Sequence, residues 1–545
     1  MERDGNGRGL RGGPRAGSQP LSAGAVTPRQ KRLTLVACIL ASSIVFVDST
    51  VVNVALPAIA DDLDAGLATQ QWVVEAYLLM LASLVLIGGS LSDLLGRRRV
   101  FEAGVVGFGV TSLLTASAPT AELLVAARAL QGVAGALLVP SALAMIMATF
   151  DEHERGAAIG SWTAWSGVAT LGGPLLGGLL VEAATWRLVF AIGIVPIVVT
   201  LYLLVRHVPR GLDARSDRHV DLPGAVLCAL GLSGVVLALI EQPREGWGDP
   251  IVAAPLAAGA AFLALFLVQE RRSPDPMLPL GLFRRRNFAV GNAATLAIYA
   301  GLSTCFFFLP IFLQGPAGFS AVESGLSLVP MTVMLFFLSK RFGALADRIG
   351  ARAPMTVGPL VAAGGVLLLM RLDEGASYFG DVVPAVALLG LGMSMVVAPL
   401  TATVLSDADQ EHAGVASGVN NAVAQVAGLV AIAAIGAVVA AQFAGALEDR
   451  AAGASRQALD DAKTRPLTVA PPSSPLREAT ADASVSAFRT GVSVAAGLML
   501  LGGLLSAAGL RDRRREVPCE ECPGGALVGA SEDVARVRVP APAPG

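Results

Sequence analysis

From residue 33 to residue 510, apolar residues come in blocks of about twenty, parted by short stretches that hold most of the charges, glycines and prolines. Twenty helical residues at 1.5 Å rise span about 30 Å, the thickness of a bilayer's hydrocarbon. The blocks predict fourteen helices: 33–57, 71–91, 99–118, 122–148, 156–181, 186–206, 222–240, 251–269, 288–314, 321–340, 354–371, 382–405, 414–442 and 488–510. The expected fold class is an all-α membrane protein. Residues 1–30 are rich in Gly, Arg and Pro and read as a disordered tail, as does 511–545. Residues 443–487 are too polar to cross a bilayer and read as a long external loop with room for one short helix.

Composition agrees with the pattern. Of 545 residues 54% are hydrophobic and 15% charged, with mean hydropathy +0.64, where a soluble domain carries about 25% charged residues. The net charge of −2 says little, but its distribution says more. With the N-terminus inside, thirty Lys and Arg fall in the cytoplasmic segments and three in the short outer loops. Basic residues collect on the cytoplasmic side, so both termini are expected there, in a cell (inner or plasma) membrane. Low Lys with high Ala, Gly and Arg points to a bacterial source. The apolar run after Lys31 and Arg32 is too long for a signal peptide.

Several function classes find no support. Cys38, Cys228 and Cys305 lie in apolar segments as small hydrophobes. Cys519 and Cys522 form one CxxC, short of the four ligands a zinc site takes, so no metal and no cofactor is expected. The four histidines, 153, 207, 219 and 412, fall in or beside cytoplasmic loops and form no catalytic constellation, so an enzyme is not expected. There is no GxxxxGK[ST] phosphate loop, hence no ATP, and no nucleic-acid partner is expected. The expected partners are the lipid bilayer, protons and a small amphiphilic substrate, and the expected state is a monomer.

An internal repeat organises the chain. "GSLSDLLGRRR" follows the second helix and "GALADRIGAR" the tenth. Gly89, Asp93, Gly96, Arg97 and Arg98 correspond to Gly343, Asp347, Gly350 and Arg352, with Arg348 directly after the second Asp. The copies lie eight helices apart, where two six-helix halves would put them six apart. Two helices are therefore inserted, giving a first bundle at 31–206, an insertion at 207–287 and a second bundle at 288–510. Repeated halves around a central site are a transporter plan. The loops can latch one conformation through charge contacts, or the arginines can serve as positive-inside anchors.

Three ionisable residues fall inside predicted spans. A carboxylate at the bilayer centre costs roughly 2.5–3.5 kcal/mol. Asp48 is nine residues from Pro57, or roughly 13 Å deep; Arg128 is roughly 9 Å and Glu75 roughly 6 Å deep from the same side. Such groups mark pathways. Asp48 is the leading proton-coupling residue, with Arg128 as its partner and Glu75 as a second proton-coupling candidate. The alternatives are a fixed Asp–Arg pair and, for Glu75, a side chain that reaches the outer interface.

The loop pattern resembles that of the major facilitator superfamily. "LVAARALQGVAGA" (124–136) is similar to its RxxQG motif, and "GGPLLGG" (172–178) to its GPxxGG antiporter motif. "VDSTVVNVALP" (47–57) is similar to the first-helix signature of its 14-helix drug:proton antiporter branch. There are departures: Leu94 and Glu75 stand where the branch often has a basic residue and Thr, and Ala169 replaces a Gly. The resemblance implies two six-helix bundles and a proton-coupled exporter of amphiphilic small molecules, a multidrug or antibiotic efflux antiporter working by alternating access. The alternatives are a dedicated exporter of one metabolite, a lipid transporter or an importer. Gly172, Gly173, Gly177 and Gly178 would let a partner helix approach, and Pro174 would free a backbone carbonyl. Gln131, Asn292, Tyr299, Asn420, Asn421 and Gln425 are candidate cavity contacts or helix–helix hydrogen bonds.

Overall fold

A computed structural model describes residues 27–208, 221–274, 276–406, 413–451 and 454–512. Every regular element among them is helical. The first half holds α1 (Pro28–Asp62), α2 (Leu67–Leu95), α3 (Arg97–Ala116), α4 (Ala121–Thr149), α5 (Glu152–Ala183), α6 (Arg187–Ala191) and α7 (Ile194–His207). Next come α8 (Leu222–Glu245) and α9 (Pro250–Arg272). The second half holds α10 (Arg286–Gln314), α11 (Ala321–Leu326), α12 (Val329–Ile349), α13 (Arg352–Leu368), α14 (Val383–Ser406), α15 (Ala413–Arg450), α16 (Arg456–Lys463) and α17 (Arg477–Gly509).

Thirteen helical segments among the described residues are long and apolar enough to cross a membrane. They match thirteen of the fourteen expected spans; α2, at the place of the second, is not among them. Two spans are broken, at Ile192–Gly193 between α6 and α7 and at Ser327–Leu328 between α11 and α12. The side chain of Asp93, and His219, His412, Cys519 and Cys522, lie outside the described residues.

Helix ends move most where polar residues had marked a boundary. Pro57 lies inside α1, which runs on to Asp62, because a proline removes one helical hydrogen bond without forcing a stop. Asp48 is therefore roughly 21 Å from that end. The segment 443–487, expected as a loop, is mostly helical: α15 continues to Arg450, α16 occupies its middle and α17 begins at Arg477. Polar pairs hold these extensions together. Gln442 Nε2 donates to Ser486 Oγ at 3.2 Å, and Lys463 Nζ lies 2.6 Å from Glu448 Oε1.

The end at which α1 starts and α17 finishes is called here the termini end, its opposite the far end. One large core cluster runs through the second half and takes in the far-end parts of α1, α2, α4 and α6, a smaller one fills the rest of the first half, and α8 lies against α2 and α15, carrying α9 on its other face. At the far end the halves join. Gln314 Nε2 donates to Val54 O at 3.0 Å, Gln71 Nε2 to Ile432 O at 2.8 Å, and Val322 N to Glu182 Oε2 at 3.2 Å. Leu67 N donates to Thr464 O at 3.3 Å, and Arg465 pairs with Asp64. The connection 454–476 thus straps the second half to the α1–α2 turn.

The repeat reappears as matched geometry. Gly96 and Gly350 have φ of 102° and 92°, a region that favours glycine, and each ends one helix where the next begins. Two residues on, Arg98 donates to Leu204 O (2.9 Å) and Val208 O (2.6 Å), and Arg352 donates to Ala507 O (2.9 Å). Each arginine satisfies carbonyls at the C-terminal end of its half's last helix, where a cation also meets the negative end of the helix dipole. These contacts lie within a half, whereas the sequence reading allowed a latch between states. Asp347 and Arg348 are exposed.

Candidate functional site

The intramembrane charges do not form one cluster. Asp48 and Arg128 meet directly, Arg128 Nη1 donating to Asp48 Oδ2 at 2.5 Å, with Arg128 0% and Asp48 5% exposed. Gln131, one turn along α4, locks the pair. It accepts from Arg128 Nη1 at 2.8 Å and donates to Asp48 Oδ1 at 3.1 Å and Ser112 Oγ at 3.0 Å. Arg128 Nε donates to Val73 O at 2.9 Å, and the guanidinium carbon sits 4.3 Å from the centre of the Tyr77 ring. Four helices of the first half, α1 to α4, therefore contribute to one polar cluster around the guanidinium. Its Nη2 has no hydrogen-bond partner. Loss of water penalises both charges, and their contact with shared hydrogen bonds offsets that penalty.

Glu75 stands elsewhere. At about 100° per residue it lies some 200° round α2 from Val73 and some 40° from Gln71. Gln71 binds α15 through Ile432 O, and Leu79, one turn further, packs with Leu429 and Ala433. Glu75 is bracketed between them, facing α15. It is 0% exposed, and neither carboxyl oxygen has a partner. The interfacial alternative is set aside, because the side chain is sealed in the seam between the halves.

Beside Asp48 lies an apolar cavity of about 430 Å³, bordered by α1, α3, α5 and the α6–α7 break. Asp48, Ser112 and Ser43 are its polar rim, while Phe108, Phe190 and Val47 are among its apolar walls. Gly193 and Pro196 border it where the helix is interrupted. An amphiphile entering this space would lay its apolar body on the walls and a polar group on Asp48.

The α5 glycines are packing surfaces. A Cβ on Gly177 would come 2.8 Å from Val51 O, and one on Gly178 would come 2.9 Å from the Ala321 carbonyl carbon. Gly173 abuts Thr50, whereas Gly172 faces open space. Pro174 leaves Thr170 O without its helical N–H, and Thr50 Oγ1 donates to that oxygen at 3.0 Å. A Cβ on Gly325 would meet the Pro174 carbonyl in turn, so α5 is gripped by α1 on one side and α11 on the other.

The polar residues of the second half divide. Asn420 Nδ2 donates to Asn292 Oδ1 (3.1 Å) and Thr295 Oγ1 (2.8 Å), and Asn292 Nδ2 to Phe288 O (2.9 Å). These are clamps between α10 and α15. Tyr299 packs against the apolar core. Asn421 is exposed and Gln425 Oε1 is buried without a partner; both share the face of α15 that carries Ile432 and turns to α2. The sequence reading missed Tyr77, Ser112, Gln71 and Thr50. They are common residue types whose role depends on which helices meet. At the termini end, Asp151, His153 and Glu154 lie close enough to share an ion, and Lys31 already occupies the acids at 2.6 Å each.

A family model for the Major Facilitator Superfamily matches residues 38–432. The chain belongs to that superfamily. Relatives within it include the puromycin resistance protein pur8 of Streptomyces alboniger, 36% identical over 87% of this chain and 90% of that one. The tetracenomycin C resistance and export protein of Streptomyces glaucescens is 35% identical over 77% of this chain and 78% of its own length. The multidrug resistance protein Stp of Mycobacterium tuberculosis (strain CDC 1551 / Oshkosh) is 33% identical over the same shares. Among solved structures, a bacterial homolog of the human lysosomal transporter Spinster, in an inward-facing and occupied conformation, superposes with TM-score 0.62. It covers 88% of this chain and 97% of its own, at 15% identity, so the likeness is one of fold. The all-helical fold, with thirteen candidate membrane helices among the described residues, is thus that of the Major Facilitator Superfamily.

Proposed function

We propose that this major-facilitator protein is a proton-coupled exporter of amphiphilic small molecules, working by alternating access from a cell membrane with both termini cytoplasmic. The observation that carries the reading is the Asp48–Arg128–Gln131 cluster on the rim of an apolar cavity, inside a structure whose halves are closed at the far end. The relatives' association with drug resistance and export supports the direction. With the far end outward, this conformation is closed to the outside. Substrate on Asp48 and a proton on Asp48 compete for one carboxylate. Arg128 remains held by Val73 O and Tyr77 whichever is present, which lowers the cost of leaving its charge without a carboxylate. The membrane potential supplies about 2.3 kcal/mol per charge per 100 mV.

Glu75 supports a second proton at the seam. An unpartnered carboxyl in a dry interface is tolerated there as the neutral acid, and opening of the α2–α15 contact would hydrate it.

The test is substrate-driven proton release in inverted membrane vesicles. Wild type releases protons on addition of a cationic dye substrate, and Asp48→Asn does not. Unchanged release in Asp48→Asn overturns the assignment of coupling to Asp48.

A further inference from the structure

A second site lies in the other half, away from the Asp48 cluster. At the far end of α17 a polar cavity of about 370 Å³ is lined by Arg450, Asp482, Ser486, Arg489, Thr490 and Ser493. Arg450 has partners, with Nε 3.5 Å from Asp482 Oδ2 and Nη1 donating to Ala446 O at 3.2 Å. Arg489 differs. Its side chain makes no hydrogen bond or ion pair among the described residues, and its Nε is shut off from solvent without an acceptor. The Arg450–Asp482 pair is neutral, so the cavity carries one uncompensated positive charge.

Depth identifies the environment. Arg489 precedes Gly509 by twenty residues, about 30 Å of helix, one hydrocarbon thickness. At the termini end Arg286 Nε donates to Gly509 O at 2.7 Å and Arg352 binds Ala507 O. Along the neighbouring helix, Arg371 follows Arg352 by nineteen residues, about 28 Å. Arginines thus mark both boundaries, and Arg489 stands at the level of lipid headgroups.

Below Arg489 the same face of α17 turns apolar. Ser493 is followed by Gly497, where an added Cβ would meet nothing within 4 Å, then by Leu500 and Leu504, which are 36% and 60% exposed. Leu360 of α13 forms the opposite wall, 3.4 Å from where a Cβ on Gly503 would stand, and Leu367 is exposed two turns nearer the cavity. The polar cavity with one net cation thus stands above a strip of exposed apolar side chains on α13 and α17, here called the furrow. A phosphodiester carries one negative charge and hangs its acyl chains on that side.

We propose that this cavity and furrow bind a single phospholipid, its phosphate on Arg489 and one acyl chain between α13 and α17. The assignment rests on the membrane-spanning fold and is independent of the transport reading. Inorganic phosphate shares the headgroup's charge but has no use for the furrow.

The experiment is native mass spectrometry of the purified full-length protein with added phosphatidylglycerol, with inorganic phosphate as competitor. Wild type retains one lipid, and phosphate does not displace it. Arg489→Gln weakens retention at least roughly tenfold, the size of one charge-assisted hydrogen bond, whereas Arg371→Gln, at the same depth outside the cavity, leaves it unchanged. Gly497→Phe fills the furrow without touching the cation and also weakens retention, so the test survives if Arg489→Gln fails to fold. Equal retention in both variants refutes the site. Displacement by inorganic phosphate makes it a free-anion site and refutes the lipid assignment.

Discussion

Replacing Asp48 by Asn keeps the shape of the side chain and removes its charge from a guanidinium that is 0% exposed. Breaking a buried pair by removing one partner costs about 3–5 kcal/mol, because the other charge stays buried. Here the cost falls near the lower figure. Arg128 keeps Val73 O, Gln131 Oε1 and the Tyr77 ring, and the carbonyl oxygen of the introduced amide can still accept from it. Asp48→Leu removes that acceptor as well and moves the cost towards about 5 kcal/mol. Adding Arg128→Met to Asp48→Leu removes the stranded charge, so the double variant recovers most of the loss. The assay is unfolding in detergent followed by tryptophan fluorescence, on wild type, the Asp48→Asn, Asp48→Leu and Arg128→Met variants and the double. The reasoning fails if Asp48→Asn lies within about 0.5 kcal/mol of wild type, the range of an ordinary surface substitution. It also fails if the double variant is no better than the sum of the singles.

Other outcomes follow from contacts at the far end. Gly178→Val forces α5 and α11 apart against backbone atoms 2.9 Å from its Cβ. The overpacking costs about 1–3 kcal/mol of the closed far end, read as slower disulfide formation between cysteines placed at Glu182 and Val322. Thr50→Val strands the Thr170 carbonyl and lowers thermal stability by about 1–3 kcal/mol, while Thr50→Ser restores it; equal melting of all three removes the hydroxyl's role. In the strap, the side-chain contact with Glu448 holds the Lys463 ammonium above its ordinary value of 10.5. That contact is complete below 10.5 and is lost as pH rises through the higher value in the fold, so proteolysis within 454–476 accelerates there in wild type. Lys463→Met abolishes the pH dependence.

The all-helical membrane architecture was legible because bilayer thickness fixes block length. Asp48 and Arg128 were legible for a related reason, since charge inside an apolar run is conspicuous. Glu75 was found without its surroundings. Its distance from the helix end could be counted, but which neighbour it faces depends on the rotation of α2, which Val73, Tyr77 and Gln71 settle together. The strap was read as a loop because its polar residues satisfy one another across α15, α16 and α17, a pairing invisible to a count of hydropathy. The same holds for Thr50, whose hydroxyl matters only because Pro174 lies on the helix beside it.

The paired ties of Arg98 to α7 and Arg352 to α17 have a consequence for assembly. Each one fastens the start of its half's third spanning segment to the end of the sixth, making a closed circuit in space from an open length of chain. A closed circuit needs no covalent help from its neighbour. The covalent passage between the circuits, through α8 and α9, is then a tether more than a beam. Two polypeptides, one ending after α7 and the other beginning at α8, should find each other in a membrane through the α1–α10, α2–α15 and α5–α11 seams.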